Sequence, residues 1–75
     1  MNKLVIVGRV TALEDNGLYV NDNSETIGVV IPRNINLGLK RINVNDPVYI
    51  EATISKQMII LTKISKVDIC HTAKK

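Results

Sequence analysis

The stretch Val48-Tyr49-Ile50-Glu51-Ala52-Thr53-Ile54-Ser55 alternates apolar and polar side chains without a break. A period of two over eight residues is the signature of a half-buried strand, one face to a core and one to water. Val48, Ile50, Ala52 and Ile54 form the expected inner face. Asn45-Asp46-Pro47 precedes it as a turn. Lys56-Gln57 follows as a tight connection into a second apolar run, Met58 to Ile69. There Met58, Ile60, Thr62 and Ile64 share one parity and Ile59, Leu61, Lys63 and Ser65 the other.

Working back towards the N-terminus, three further strands can be read. Leu4 to Thr11 is apolar nearly throughout. Leu4, Ile6 and Val10 fall on one face and Val5, Val7, Arg9 and Thr11 on the other, so coverage on both sides is expected. Gly8 lies inside this run, where a glycine marks a bulge or a close backbone approach. Asn16-Gly17 is the strongest short hairpin signal in the chain. Leu18-Tyr19-Val20 is a short second strand, with Tyr19 opposite its two apolar neighbours. Asn21-Asp22-Asn23-Ser24 is a turn rich in residues that bond their own backbone. Glu25 to Arg33 is the third strand, and Pro32 ends its ladder. Asn34 to Asn45 fits one or two helical turns or a loop, weakened by Gly38.

Composition agrees. Eleven Ile and nine Val stand against six Leu and three Ala, and Phe and Trp are absent. β-Branched residues favour strands. Seventy-five residues allow one small domain, here 1–69, with a short basic tail at 70–75. Five strands with a helical or looped insert between the third and fourth cannot build a two-sheet sandwich at this length. They can close into a small all-β barrel with the insert capping one end, which is the layout of an OB-fold.

The chemistry of catalysis is missing. Cys70 is the single cysteine, which excludes a disulfide framework and suits a cytoplasmic protein. Cys70-His71 offers two ligands side by side, too few for zinc. There is no Gly-rich phosphate loop. Glu14 and Asp15 point apart on an extended chain and make a poor acid–base pair. No enzyme, no metal and no cofactor is expected. No apolar stretch approaches a membrane span.

A net charge of +3 permits a polyanionic partner. An OB barrel binds across strands two and three, between the 1–2 and 4–5 loops. Single strands are held by cations on the backbone and flat side chains under the bases. The candidate stacking residues are Tyr19, inside the expected trough, and Tyr49. The candidate phosphate contacts are Arg9, Arg33, Lys40, Arg41, Lys56, Lys63 and Lys66, with Lys56, Lys63 and Lys66 as a basic track along the last strand.

Met1-Asn2-Lys3-Leu4-Val5-Ile6-Val7-Gly8-Arg9-Val10-Thr11 resembles the opening strand of bacterial single-stranded DNA-binding proteins and of primosomal replication protein B. Asn45-Asp46-Pro47-Val48-Tyr49-Ile50-Glu51 resembles their fourth strand, and Met58 to Val67 sits where their last strand lies. The resemblance implies an OB module binding single-stranded nucleic acid, DNA before RNA, and working as a homo-oligomer such as a dimer. The chain departs from that pattern at Ala52, where those families continue with Gly. It also lacks their base-stacking Trp and Phe and their acidic tail, and carries Lys74-Lys75 instead. A second resemblance is to bacterial translation initiation factor 1, through Gly8-Arg9-Val10, Leu18-Tyr19-Val20 and Val48-Tyr49-Ile50-Glu51; it implies an RNA or ribosome partner. The opening strand favours the DNA reading. A third reading, from the residues alone, is a protein–protein subunit. Apolar side chains on both faces of strands one and five (Val5, Val7, Ile59, Leu61) need a covering partner if the barrel leaves them exposed.

Overall fold

The computed structural model describes residues 2–33 and 41–67. It is all-β: β1 Lys3–Glu14, β2 Gly17–Asn21, β3 Thr26–Val30, β4 Pro47–Ser55 and β5 Met58–Lys66. The strands form one sheet in the order β1-β2-β3-β5-β4, and β4 returns to β1, so the sheet closes. Every neighbouring pair is antiparallel except β3 and β5, which meet in parallel at one position, Val30↔Ile60. The helical or looped insert expected over 34–45 falls largely outside the described residues, as do the tail and the Cys70-His71 pair. Among the described residues no helix is long and apolar enough to cross a membrane, and no group of three or more His, Cys, Asp or Glu could hold a metal ion.

The closed sheet is filled by branched aliphatics. Ile6, Val10, Leu18, Val20, Val29, Ile42, Val48, Ile50, Ala52 and Leu61 are buried. Each Val, Leu or Ile moved from water stabilises the fold by about 1.5–3 kcal/mol. The inner face read from Val48, Ile50 and Ala52 is the observed one, while Ile54 emerges at the end of the strand.

Gly8 is a point of close approach. It lies between the buried Ile6 and Val10, where β1 meets both β2 and β4. A Cβ there would overlap the Asn21 carbonyl oxygen and come within 2.8 Å of Val20 Cγ1. Only a residue without a side chain lets β2 pass so near.

Several sequence expectations need correction. β1 runs on to Glu14 rather than ending at Thr11, because Ala12, Leu13 and Glu14 pair with Tyr19, Leu18 and Gly17. The first hairpin loop is Asp15-Asn16, not Asn16-Gly17; Gly17 is already in the ladder, and its φ is not positive. A Cβ at Gly17 would lie 2.9 Å from the Val29 carbonyl oxygen, so this glycine serves spacing rather than turning. β3 ends at Val30, two residues before Pro32. β1 is not covered on both sides: Val5 and Val7 are 48% and 58% exposed.

The faces of β5 also differ from a simple alternation. Glu51 pairs with Lys63 and Ala52 with Leu61, so Thr62 is one residue too many. This bulge resets the parity. Leu61 and Ile64, three apart, therefore both face the core, opposite Ala52 and Ile50. A matching bulge in β1 leaves Thr11 unpaired between Val10↔Val20 and Ala12↔Tyr19.

The turns follow their residues. Asp22 Oδ1 accepts hydrogen bonds from Ser24 N, Ser24 Oγ and Glu25 N at 2.8–3.0 Å, closing the β2–β3 loop. Asn23 adopts φ 83° there, a conformation asparagine tolerates better than most residues. Asp46 Oδ2 accepts from Asn43 N, and Val10 bonds this loop through both its N–H and its carbonyl. Lys56 and Gln57 have φ 52° and 66°, the paired left-handed values of a type I′ hairpin.

Candidate nucleic-acid interface

Strand order sorts the candidate residues into two groups on different faces. Residues directly opposite in a ladder share a face. On the outside of β1, β4 and β5 this gives four rows: Lys3–Thr53–Ile60, Val5–Glu51–Lys63, Val7–Tyr49–Ser65 and Arg9–Pro47. Arg9, Tyr49 and Lys63 are thus brought together on one surface. Lys3 joins them, and the sequence reading passed over it. The signal was available: Lys3 has the parity of Val5, Val7 and Arg9.

Tyr49 is half-buried at the centre of this face, its hydroxyl donating to Glu51 Oε2 at 3.2 Å. Lys3 Nζ stands 3.7 Å from Glu51 Oε1 and remains largely exposed. Arg9 Nη1 donates to the Asn45 carbonyl oxygen at 2.7 Å. That bond uses one of five guanidinium donors and leaves the others for a ligand. Beside Arg9 a hollow of about 260 Å³ is lined by Val7, Pro47, Asn21 and Asn23. The face therefore carries Lys3, Arg9 and Lys63 against the carboxylate of Glu51, with Asp46 at its edge beside Arg9.

Tyr19 lies elsewhere. It is 40% exposed on β2, directly opposite Gly28 of β3. A Cβ on Gly28 would meet the ring at 3.2 Å, so the phenol lies over the β3 backbone. It borders a groove of about 380 Å³ running from Glu14 and Asn16 across Val30 to Gln57, Met58 and Ile59. This is the trough expected between the 1–2 and 4–5 loops. Among the described residues, none of the expected cations lines it. Glu14 lines it and Asp15 follows in the β1–β2 loop, Asp22 and Glu25 lie at the far end of the β2–β3 hairpin, and Lys56 precedes the lining residue Gln57 on the other wall.

The remaining cations do not form a track. Lys63 and Lys66 are an odd number of residues apart, past the bulge, and point to opposite faces of β5. Lys63 faces Glu51, whereas Lys66 lies opposite the buried Val48 and pairs with Asp46 Oδ2 at 3.4 Å. Lys56 is at the other end of the strand, about 30 Å away at 3.3 Å per residue. Arg33 and Arg41 are exposed, and Lys40 lies outside the described residues.

Two carboxylates have pKa values held below their ordinary value of 3.8. For Asp22 the cause is the backbone N–H of Ser24, then that of Glu25. For Asp46 it is the backbone N–H of Asn43, helped by Lys66 and Arg9. Both bonds fasten loops and leave the carboxylates charged at neutral pH.

A scan of the chain against protein-family models finds no match, and a search of curated proteins finds no relative.

Proposed function

We propose that this chain is a non-catalytic module of the OB-fold class that binds single-stranded nucleic acid, DNA in preference to RNA, on the outer face of β1, β4 and β5. The strand order with its parallel β3–β5 contact supports the fold assignment. The resemblance of the first and fourth strands to single-stranded DNA-binding proteins supports the ligand class.

One observation carries the choice of face. Tyr49 sits between Val7 and Ser65 on the sheet face that carries Lys3, Arg9 and Lys63, whereas the groove beside Tyr19 is lined, among the described residues, by the carboxylate Glu14 and by no Lys or Arg, with Lys56 next to its lining residue Gln57. A phosphate backbone is attracted to the first surface more than to the second. Base stacking on a tyrosine contributes about 1–3 kcal/mol per base. Three phosphate contacts give a log–log salt slope of about −2 for a single strand.

Fluorescence anisotropy with labelled DNA and RNA oligonucleotides tests the reading. Tyr49→Ala and Lys3→Glu/Lys63→Glu are each expected to weaken binding about tenfold or more, the size of one lost stacking contact. Tyr19→Ala is expected to leave affinity unchanged. Loss on Tyr19→Ala with none on Tyr49→Ala returns the ligand to the β2–β3 trough. An absence of binding to either oligonucleotide at low salt removes the function, and tighter binding of RNA favours the ribosomal partner class.

A second reading rests on the exposure of Val5 and Val7. Two neighbouring valines open to water on a sheet face also suit contact with another copy of the chain. Light scattering separates the two: a dimer that Val5→Lys/Val7→Lys dissolves into monomers supports this use of the face.

A further inference from the structure

We infer that the groove between β3 and the β4–β5 turn receives an extended segment of a partner protein, alternating cationic and apolar residues, which adds to the edge of β3 that has no strand partner among the described residues. This site is separate from the proposed nucleic-acid face.

The sheet is sealed between β3 and β5 by a single parallel pairing, Val30↔Ile60. β3 pairs with β2 along its whole length, Thr26 to Val30. Among the described residues, its other edge has no strand partner from Thr26 to Val29. An unpaired edge presents alternating N–H and C=O groups that a second chain can bond. Proteins usually guard such an edge with charge or proline inside the strand. β3, Thr-Ile-Gly-Val-Val, carries neither.

The groove beside that edge suits side chains. Val30, Met58 and Ile59 supply apolar surface, and Met58 is 47% exposed. Methionine adapts its shape to what it meets. A volume of about 380 Å³ lies in the lower part of the range for ligand clefts. The Tyr19 ring lies over Gly28 and forms a flat wall of the groove beside the edge.

Charge selects the occupant. Glu14 and Asp15 stand at one end of the β2–β3 pair and Asp22 and Glu25 at the other. Among the described residues, Glu14 is the one charged residue lining the groove, and these four carboxylates outnumber the nearby cation, Lys56 of the β4–β5 turn, so the β2–β3 side favours a cationic segment over nucleic acid. Side chains of an added strand alternate between two faces. Apolar residues at every second position would enter the groove while Lys or Arg at the others reach the carboxylates.

The test uses the intact chain and a fluorescein-labelled peptide of alternating Val and Lys. Binding is expected, with NMR shift changes at Gly28, Val29 and Gln57 to Ile59 and slowed amide exchange along Thr26 to Val29. Glu14→Lys/Glu25→Lys, both at exposed positions, is expected to lower peptide affinity at least tenfold and leave oligonucleotide binding intact. Backbone N-methylation at alternate peptide residues is expected to abolish binding. The inference is overturned by equal binding of a Val–Glu peptide, by shifts centred on Tyr49, by absence of peptide binding, or by an oligonucleotide that perturbs the Gly28 and Met58 signals.

Discussion

The hydroxyl of Thr62 donates to the carbonyl oxygen of Glu51 at 2.9 Å, at the position where β5 carries one residue more than β4. Thr11 does the same in β1, donating to the Tyr19 carbonyl at 3.3 Å. A bulge takes a residue out of the ladder and leaves a neighbouring carbonyl short of its partner. In both places a threonine hydroxyl supplies the donor. Thr62→Val keeps the shape and removes that donor. A loss of about 1 kcal/mol is expected, the net worth of an ordinary hydrogen bond. The longer bond of Thr11 predicts a smaller loss for Thr11→Val. Urea denaturation of both variants measures this; a Thr11→Val cost above that of Thr62→Val contradicts it.

Among the described glycines, Gly8→Ala should be the most damaging substitution. The added Cβ overlaps a backbone carbonyl, which cannot move aside as a side-chain tip can. Overpacking costs about 1–3 kcal/mol and more where backbone must shift. A 75-residue domain has roughly 4–11 kcal/mol in total. A fall of at least about 3 kcal/mol is expected from thermal or urea unfolding. A change within experimental error would show that β2 passes further from β1 than described.

The β4–β5 turn can be improved. Lys56 and Gln57 occupy left-handed backbone positions that disfavour side chains by about 1–2 kcal/mol each. Asn and Gly fit the same turn with less strain. Lys56→Asn/Gln57→Gly is expected to raise stability by about 1 kcal/mol, after the entropy of the new glycine is subtracted. Nucleic-acid affinity should not change, because Lys56 is not on the proposed face. An unchanged or lower urea midpoint would show that the turn is not strained.

Acid should weaken the fold through its loops. A carboxylate whose folded pKa lies below its unfolded value stabilises the native state above that unfolded value. The contribution fades as pH falls through the folded pKa. Asp22 and Asp46 are both of this kind, depressed from 3.8. Stability is therefore expected to be flat near neutrality and to fall below about pH 4. Asp22→Ala and Asp46→Ala should each lower stability at neutral pH and flatten the acid limb. Unfolding midpoints measured across that range decide it; a parallel acid limb in both variants assigns the loss to other groups.

The sequence was most legible where one strand has one dry face. Val48, Ile50 and Ala52 alternate because the closed sheet has an inside and an outside at that point, and they are buried as read. The Asp22 loop was equally legible, since its bonds reach only two or three residues. The frame of the first hairpin was not, because the register of a long strand overrode the local preference of Asn16-Gly17. Nor was the parity change at Thr62, which depends on the partner strand and has no local signature.

The site followed the same division. Alternation placed Tyr19 and Tyr49 outward, and both are accessible. Which charges surround each depends on which strands become neighbours. Lys3 is distant from Lys63 in sequence yet only two strands away in the sheet, reached through Thr53 and Glu51. Glu14, close to Tyr19 in sequence, lines its groove, whereas Lys56 is brought to the opposite wall only by the pairing of distant strands.

Among the described residues, Glu14, Asp15, Asp22 and Glu25 gather at the ends of the β2–β3 hairpin while Lys3, Arg9 and Lys63 share the outer sheet, an uneven spread of charge. In dilute buffer, the negative end of one molecule attracts the positive side of the next, and copies should string together loosely head to tail. Added salt screens that attraction within a Debye length of about 8 Å at physiological strength. The protein should therefore dissolve more readily as salt is raised from very low levels, the opposite of what a uniformly charged particle does.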